Sequence, residues 1–491
     1  MMVKCGNMIL GSDSHTRYGS LGNMGVGEGG GELVKQLLKN TWDINAPEVV
    51  LVWLEGAPKK GVGPHDVAIS LVKATFESGV VKNKVLEFAG PGVKNLPIDF
   101  RNGIDIMTTE TTCLSSIWVT DEEVKHHYDI HERPQDYREL KPGDVAYYDM
   151  MIRIDLSTQE SMIALPFHPS NAVTIHELQA DPVGILTRIE EDAKKRFGDK
   201  VDVHLVDKVV DGKVQADQGI IAGCSGGTYD NLAEAGAILK GKNIGNDYFT
   251  ASAYPQSTPV SMAVTREGIT ADLIEAGVVM KPAFCGPCFG AGDVPSNNGL
   301  SIRHTTRNFP NREGSKPGQG QLSLVALMDA RSIAATAANG GVITAATDVE
   351  YENTHKPYVY DDKIYKCRVY NGFGKARPET ELRYGPNIKD WPKMYPMQEN
   401  MLVELAAVIH DPVTTTDELI PSGETSSYRS NPLKLSEFAL SRRVPEYVGL
   451  SKEIQKQDLA RREGNVSENV AEALKAVGAS AENTSFGSCV F

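Results

Sequence analysis

The hydrophobic positions of the chain fall into short apolar runs that alternate with segments of helical periodicity. Residues 49–54 form one such run and predict a buried strand, whereas residues 67–78 have the spacing of an amphipathic helix. The alternation resumes at about residue 219, with strands predicted at 219–222, near 248 and at 278–280, and helices predicted at 229–239 and 270–275. Strands separated by helices are typical of parallel sheets covered on both faces. The pattern therefore predicts an α/β fold.

Turn residues and local composition divide this pattern into expected domains. Pro47 leads into the first predicted strand, and the Pro-Gly turn at 141–144 is typical of a boundary. Residues 346–398 are rich in Tyr, Pro, Lys and Asp and lack apolar periodicity, so we expect a linker there. The domains expected on either side of these boundaries are 1–47, 48–145, 146–345 and 399–491.

Composition excludes several classes of function. The 491 residues include 50 Lys and Arg against 64 Asp and Glu, and the resulting net charge of -14 disfavours binding to nucleic acid. The longest apolar run is far shorter than the roughly 20 residues of a membrane span, and the N-terminal residues lack the apolar region of a secretory signal. Seven cysteines are too few, and odd in number, for a disulfide framework. We therefore expect a cytoplasmic protein with no membrane segment and reduced thiols.

Three cysteines lie just after predicted strands. Cys285 and Cys288 enclose a Gly-Pro pair, and Cys224 lies 61 residues before Cys285. Because parallel strands end at a common edge of the sheet, the three thiols could converge. A structural zinc site needs four ligands, and no fourth ligand is evident, whereas three thiolates suit an iron–sulfur cluster that keeps one iron open to substrate. From spacing alone, a redox thiol pair or simple packing of the cysteines stays open.

Four motifs in a fixed order change the balance between these alternatives. They are Gly-Ser-Asp-Ser-His-Thr at 11–16, Gly-Cys-Ser at 223–225, Cys-Gly-Pro-Cys-Phe-Gly at 285–290 and Thr-Arg-Asn-Phe-Pro-Asn-Arg at 306–312. Together they resemble the aconitase and isopropylmalate dehydratase superfamily, and within it the bacterial aconitase-like hydratases. The resemblance covers residues 9–345 and, more weakly, residues from 400 onward. It implies three-layer α/β domains around a central cleft, with 1–47 as a remnant of the first and 399–491 as an incomplete swivel-type domain.

The resemblance also implies roles for individual side chains. The ligands of a [4Fe–4S] cluster would be Cys224, Cys285 and Cys288. The catalytic side chains beside the open iron would be Asp13, His15 and Glu110. The arginines that bind substrate carboxylates would be Arg307, Arg312 and Arg429. Arginine suits this task because its planar guanidinium binds a carboxylate through two hydrogen bonds. Taken one by one, each residue also has an ordinary explanation as a solvated or hydrogen-bonded side chain.

Two other motifs are weaker. Residues 25–30 match the dinucleotide-binding pattern G-x-G-x-x-G, but residues 13–23 before them are polar and glycine-rich rather than strand-like, which disfavours nicotinamide binding. The histidines His126, His127 and His131 include a pair at i,i+4 spacing. Acidic neighbours and the nearby Pro134 favour a solvated helix end over a metal site.

The chain departs from the family pattern in three places. Asp13 lies almost at the start, so a further Asp–His pair, a His and a Gln that precede this motif in the family have no counterpart. The chain also stops before the Ser-Arg segment that supplies the family's general base, and Gly226 stands where Asn is usual. We therefore expect a truncated or split member, impaired in proton abstraction; a separate chain that carries the missing segments is one explanation.

The expected function is an iron–sulfur-dependent hydro-lyase that acts on a small hydroxy di- or tricarboxylate. Two rivals remain at this stage: a catalytically inactive cluster-binding or iron-sensing protein, and, on the glycine motif alone, a nicotinamide oxidoreductase.

Overall fold

The computed structural model of the chain describes residues 3–198, 202–245, 248–310, 320–381, 383–410, 416–421 and 425–491. The chain divides into two compact units. The first comprises Met1–Cys288 and Gly292–Asn371, and the second Phe289–Ala291 and Gly372–Phe491. Within the described ranges, no helix combines the length and the apolar character needed to cross a membrane.

Strands and helices alternate along most of the first unit. Its strands are β1 Met8–Gly11, β2 Met24–Gly27, β3 Val49–Glu55, β4 Val85–Ala89, β5 Ser115–Trp118, β6 Met150–Asp155, β7 Met162–Ala164, β8 Ala172–Thr174, β9 Val209–Val210, β10 Lys213–Val214, β11 Gln218–Ile221, β12 Thr250–Ala253, β13 Val279–Met280, β14 Leu300–His304 and β15 Leu324–Met328. Its helices are α1 Gly30–Leu37, α2 Pro64–Thr75, α3 Ile98–Met107, α4 Glu122–Ile130, α5 Ile175–Ala180, α6 Pro182–Phe197, α7 Gly223–Gly226, α8 Tyr229–Leu239, α9 Thr258–Arg266, α10 Ile269–Glu275, α11 Ala330–Ala338 and α12 Lys363–Arg368.

A four-stranded, fully parallel sheet forms one core of the first unit. Its strand order is β5-β4-β3-β6. The predicted strand at 49–54 is confirmed as β3, and the helix predicted at 67–78 is α2, which begins three residues earlier at Pro64. The Phe88 ring stacks on Trp118 at 4.2 Å, and the indole N–H of Trp118 donates to the buried carboxylate of Asp105 on α3. This contact fixes α3, which leads into Glu110, against the sheet.

A seven-stranded sheet forms the larger core. Its order is β13-β12-β11-β14-β15-β7-β8, and the first five strands are parallel while β7 and β8 are antiparallel to their neighbours. The helix predicted at 229–239 is confirmed as α8, whose N-cap Thr228 accepts a hydrogen bond from the backbone N–H of Asn231. The predicted α/β class is likewise confirmed. Because β11, β14 and β15 are parallel neighbours, the loops that follow them emerge at one edge of the sheet.

The N-terminal strands β1 and β2 flank the loop that contains Asp13 and His15. They form a two-stranded parallel sheet in which Met8 lies opposite Met24. Residues 13–23 form no strand, as we expected, and β2 coincides with the start of the G-x-G-x-x-G segment, including Gly25 and Gly27. The apolar pattern did not predict β2, because its two glycines lack the alternating apolar side chains by which strands are recognised. The two glycines lie inside the strand, not in the phosphate-binding turn that a dinucleotide site requires.

The second unit contains a two-stranded parallel sheet. Its strands are β16 Asn400–Ala407 and β17 Thr484–Val490. Its helices are α13 Thr416–Leu419, α14 Pro432–Ser436, α15 Tyr447–Arg462 and α16 Glu468–Val477. The carboxylate of Asp458 on α15 accepts a hydrogen bond from the backbone N–H of Phe486, which ties this helix to β17.

Candidate active site

The loop between β1 and β2 holds Asp13 and His15 in a tight turn. The backbone N–H of His15 donates to Oδ1 of Asp13 at 2.7 Å, and the hydroxyl of Thr16 donates to the Asp13 carbonyl, also at 2.7 Å. Turns closed by an Asp side chain in this way are a common local device. Arg17, which is buried, then donates to the Gly25 and Cys113 carbonyls and anchors the end of the loop.

Close packing against β2 sets the position of this loop. A Cβ atom added to Gly27 would lie 2.2 Å from the Asp13 carbonyl oxygen, and one added to Gly25 would lie 2.8 Å from the Thr16 carbonyl oxygen. Neither position has room for a side chain. The glycines of the G-x-G-x-x-G pattern therefore let the Asp13–Thr16 backbone lie directly on the strand.

Three predicted site residues meet at a single carboxylate oxygen. His15 Nε2 lies 2.7 Å from Oε1 of Glu110, and Nε of Arg307 donates to the same oxygen at 2.7 Å. Glu110 lies in the short 3-10 helix Thr108–Thr111 that continues α3. The neighbouring Thr109 hydroxyl donates to the Ser14 carbonyl at 3.0 Å, which fastens this helix to the Asp13–Thr16 loop.

Electrostatics keep Glu110 ionised and His15 neutral. Burial alone would raise the pKa of Glu110, but the charge of Arg307 and the hydrogen bond with His15 lower it to about 2. Burial and then the charge of Arg307 lower the pKa of His15, and Glu110 offsets part of this effect. A neutral His15 must donate from Nε2 to the carboxylate, which leaves Nδ1 as a proton acceptor. Nδ1 lies 3.4 Å from the Ser14 hydroxyl.

Asp13 contacts His15 chiefly through the backbone. Its Oδ1 accepts the His15 backbone N–H at 2.7 Å, and the ring Nδ1 lies 3.8 Å from the same oxygen. The Asp13 side chain is 80% exposed, whereas that of Glu110 is 2% exposed. The buried carboxylate is therefore the ring partner of His15.

The segment that contains Arg307 is held by its neighbour Asn308. The Asn308 side-chain N–H groups donate to the carbonyls of Ala164, Leu165 and Val325 on or beside β7 and β15. Asn308 is buried, as is Thr306. These contacts fix the start of the loop after β14 and so set the position of the Arg307 guanidinium.

The predicted cysteines lie after parallel strands of the seven-stranded sheet. Cys224 lies in α7 directly after β11, and Cys288 lies in a short 3-10 helix, Gly286–Phe289, beyond β13. The Cys288 Sγ lies 3.3 Å from the hydroxyl of Thr306, the residue before Arg307. Burial raises the pKa of the Cys224 thiol, and the charges of Cys288, Cys285 and Asp13 raise it further, in that order. Cys224 thus lies within electrostatic range of both other thiols and of the Asp13–His15 loop.

The unusual Gly226 has a local explanation. A Cβ atom at this position would lie 2.2 Å from the backbone oxygen of His304, at the end of β14. The same oxygen accepts a hydrogen bond from the Ala222 N–H. The cysteine turn therefore lies directly against β14, and only glycine fits.

His168 lies near the site, but it was not among the residues predicted from the sequence. It follows β7, its ring lies 5.1 Å from that of Phe309, and the charge of Glu110 acts on it. Burial lowers the pKa of His168 to about 4, and its buried Nε2 has no hydrogen-bond partner among the described residues. A His-Pro pair just after an apolar run, as at 168–169, could have marked it as a loop residue at a strand end.

The roles predicted for the arginines Arg312 and Arg429 stay predictions. Arg312 lies outside the described residues. Arg429 is exposed and belongs to the second unit. The rings of His127 and His131 lie 4.2 Å apart in a tilted arrangement, but within the described part of the chain no three His, Cys, Asp or Glu side chains form a group that could hold a metal ion.

Comparison with known proteins places this geometry in context. A sequence profile of the aconitase family (aconitate hydratase) matches residues 1–335. The 3-isopropylmalate dehydratase large subunit of Elusimicrobium minutum is 27% identical over 319 residues, which cover 64% of this chain and 68% of that protein. The 3-isopropylmalate dehydratase large subunit 2 of Rubrobacter xylanophilus is 29% identical over 344 residues, which cover 70% and 72% of the two chains.

Among solved structures, the chain matches the crystal structure of Thermococcus kodakaraensis aconitase X in its holo-form. The match has a TM-score of 0.32 and 13% sequence identity, and it covers 62% of this chain and 63% of that chain.

Proposed function

Because the chain belongs to the aconitase family, whose members are hydro-lyases, we propose that it catalyses the reversible dehydration of a small hydroxy di- or tricarboxylate. The buried contact of His15 and Arg307 with one oxygen of Glu110 carries this proposal. It combines a neutral imidazole that can exchange a proton with a permanently charged guanidinium that can bind a carboxylate.

We propose that Cys224, Cys285 and Cys288 hold a [4Fe–4S] cluster. Thiolates are the usual protein ligands of such clusters, and the electrostatic coupling of Cys224 to the other two thiols fits a shared site. No disulfide involves any of the seven cysteines. When bound, the cluster would supply an iron that polarises the substrate oxygens as a Lewis acid.

The protein side chains then have separate tasks. In the hydration direction, Nδ1 of neutral His15 accepts the proton that the attacking water loses, because Nε2 is engaged by Glu110. In the dehydration direction, the imidazole protonated at Nδ1 gives that proton to the hydroxyl, which departs as water. Glu110 also holds Arg307 through Nε, so the two terminal nitrogens of the guanidinium remain for a substrate carboxylate. His168, beside Phe309, closes the polar group on the side of β7.

Abstraction of a proton from the carbon next to a carboxylate also requires a base. We propose that a second chain contributes this base. The relatives reported above are named large subunits, a name that implies a small subunit. A base supplied in this way typically contributes roughly 100- to 10,000-fold in rate. We therefore expect the isolated chain to bind substrate and to turn it over slowly.

Anaerobic reconstitution with iron and sulfide tests the cluster proposal. The wild-type protein should become brown, and Cys285→Ser should lose the absorbance, whereas Cys367→Ser should retain it. Cys367 is a matched control because it is exposed, lies on α12 and is far in sequence from the proposed ligands. A colourless wild-type protein, or equal absorbance in both variants, would refute the cluster assignment.

Turnover tests the reaction itself. The reconstituted protein, alone and with a small subunit of 3-isopropylmalate dehydratase, should dehydrate at least one of a panel of hydroxy acids that includes isopropylmalate, citrate, malate and homocitrate. Stable cluster uptake without turnover of any of these acids, with or without the small subunit, would instead support a cluster-binding or iron-sensing protein.

A further inference from the structure

A second cavity of the first unit, of about 410 Å³, is distinct from the residues assigned to dehydration. The N-terminal ends of α3 and α8 lie at its wall, together with α4 and the segment before α12. Its volume is in the range of small-molecule sites. None of its lining residues is a proposed cluster ligand or a neighbour of Glu110.

The wall of this cavity is acidic. Asp99, Asp230 and Glu123 line it, and within the described chain the lining includes no Lys or Arg. Asp99 already has a structural task, because its carboxylate accepts a hydrogen bond from the backbone N–H of Asp230 at 3.3 Å, at the start of α8. Asp230 is different: it is only partly exposed, and no donor of the described residues bonds to its carboxylate.

Keeping the carboxylate of Asp230 charged in this cavity costs free energy. Burial and the charge of Asp99 raise its pKa to about 7, although Arg331 opposes this shift. The nearby imidazole of His127 does not compensate, since burial and the charge of His131 lower its pKa to about 3 and keep it neutral. A cation bound beside Asp230 would therefore favour its charged form, because the wall of the cavity includes no Lys or Arg of its own among the described residues.

Aromatic rings form the other part of the wall. Tyr358 packs on Tyr229 with ring centroids 5.4 Å apart, and Tyr360 packs on His131 at 4.3 Å. The Tyr229 hydroxyl donates to the Lys356 carbonyl, which holds the segment before α12 in place. Fixed tyrosine rings beside carboxylates attract cations through the negative faces of the rings.

We propose that this cavity binds a small organic cation, such as an alkylammonium group, with its charge on Asp230 and its carbon chain against Tyr358 and Tyr360. The aromatic wall favours an organic cation over a metal ion, and no metal-binding group is present among the described residues. This site is independent of the proposed dehydration, so either one can fail without the other.

Calorimetric titration of the full chain tests the site with three probes of equal carbon number: butylammonium, 1-butanol and butyrate. Butylammonium should bind saturably, and the neutral and anionic probes should bind far more weakly. Asp230→Asn should weaken butylammonium binding about tenfold, because a charge-assisted hydrogen bond is lost. Tyr358→Leu should weaken it about threefold through the loss of the cation–ring contact.

Asp192→Asn serves as the matched control, since Asp192 lies on α6 in an exposed ion pair with Lys195. It should bind butylammonium as the wild type does. The proposal is overturned if butylammonium does not bind, if butanol or butyrate binds equally well, or if Asp230→Asn leaves the affinity unchanged. Asp230→Asn preserves side-chain shape, and far-ultraviolet circular dichroism verifies that the variant is folded.

Discussion

At the scale of single residues, the site depends on one oxygen atom that accepts from two donors. Glu110 Oε1 contacts both His15 and Arg307, and the side chains of these two residues are 10% and 13% exposed. A buried carboxylate without such partners would be neutral, because burial raises its pKa. These two donors thus keep Glu110 ionised. Glu110 in turn fixes which nitrogen of His15 carries the proton.

Replacement of Glu110 tests this arrangement. Glu110→Gln should lower kcat at least 100-fold, since His15 loses its orienting acceptor. It should also lower the free energy of unfolding by about 3 kcal/mol, because the Arg307 charge remains without its partner. Steady-state kinetics and urea denaturation measure the two effects.

The exposed pair of Glu55 and Arg153 provides the control for this variant. Glu55→Gln removes a carboxylate from the same type of pair at the surface, so it should cost less than about 1 kcal/mol and leave activity unchanged. Similar losses of activity and of unfolding free energy in Glu110→Gln and Glu55→Gln would contradict the importance of the buried contact.

A buried histidine gives a prediction for pH. His65 is fully buried, its two ring nitrogens have no hydrogen-bond partner among the described residues, and its ring lies 4.2 Å from that of His304. Burial and the charge of His304 lower the pKa of His65 well below its usual value. Below about pH 6.5, His65 is protonated in the unfolded chain but stays neutral in the folded chain. The free energy of unfolding therefore falls as pH decreases.

The slope of stability against pH measures this effect. Between pH 6.5 and 5.5 the wild type should lose about 1 kcal/mol more of its unfolding free energy than His65→Leu does. His126→Gln, at an exposed position of α4, should retain the wild-type slope. Identical slopes for the wild type and His65→Leu in urea denaturation would show that His65 is not held neutral.

At the scale of elements, β2 shows how a motif can be misread. Its glycines match a dinucleotide pattern, yet their function in this fold is to let the Asp13–Thr16 backbone lie on the strand. The distinction depends on a contact between strand and loop, which no local pattern contains.

Two glycine substitutions test whether the close packing of the Asp13–Thr16 loop on β2 is required. Gly27→Ala should displace the Asp13 carbonyl, lower activity severely and cost about 1–3 kcal/mol of stability. Gly29→Ala should be nearly neutral, because nothing lies within 4 Å of its added Cβ. Assays of turnover and of urea denaturation should distinguish the two variants; equal activities would contradict the packing argument.

Elements with strong local signals were the ones that the sequence predicted. The apolar run of β3 and the capped, periodic α8 both appear close to their predicted bounds. The strand expected near 248 begins two residues later, at Thr250. The pairing of His15 with Glu110 could not be predicted from the residues alone, since 95 positions separate them and only the packing of α3 on the sheet brings them together. Family resemblance named both residues as catalytic, but it did not predict that they contact each other.

At the scale of the whole molecule, the chain divides into two units, and an exposed segment begins the larger part of the second. Residues 372–381 and 383–397 contain no helix or strand in the described part of the chain and are largely exposed. Exposed segments without regular structure are preferred sites of proteolysis.

Limited trypsin digestion should therefore cut this segment first. The expected sites are Lys375, Lys389 and Lys393, all of which are exposed. Mass spectrometry of the early fragments should show two products that correspond to the two units. First cleavage inside the four-stranded or the seven-stranded sheet of the first unit would contradict this division.

The contact of Gly226 with His304 has a consequence for protein engineering. A designer who restores the customary Asn at 226 would drive its side chain into the backbone of the adjoining strand, 2.2 Å from an oxygen atom. Chimaeras that import a relative's cysteine turn must therefore import the end of the facing strand as well. Positions 222–226 and 304 should be exchanged together, as one cassette.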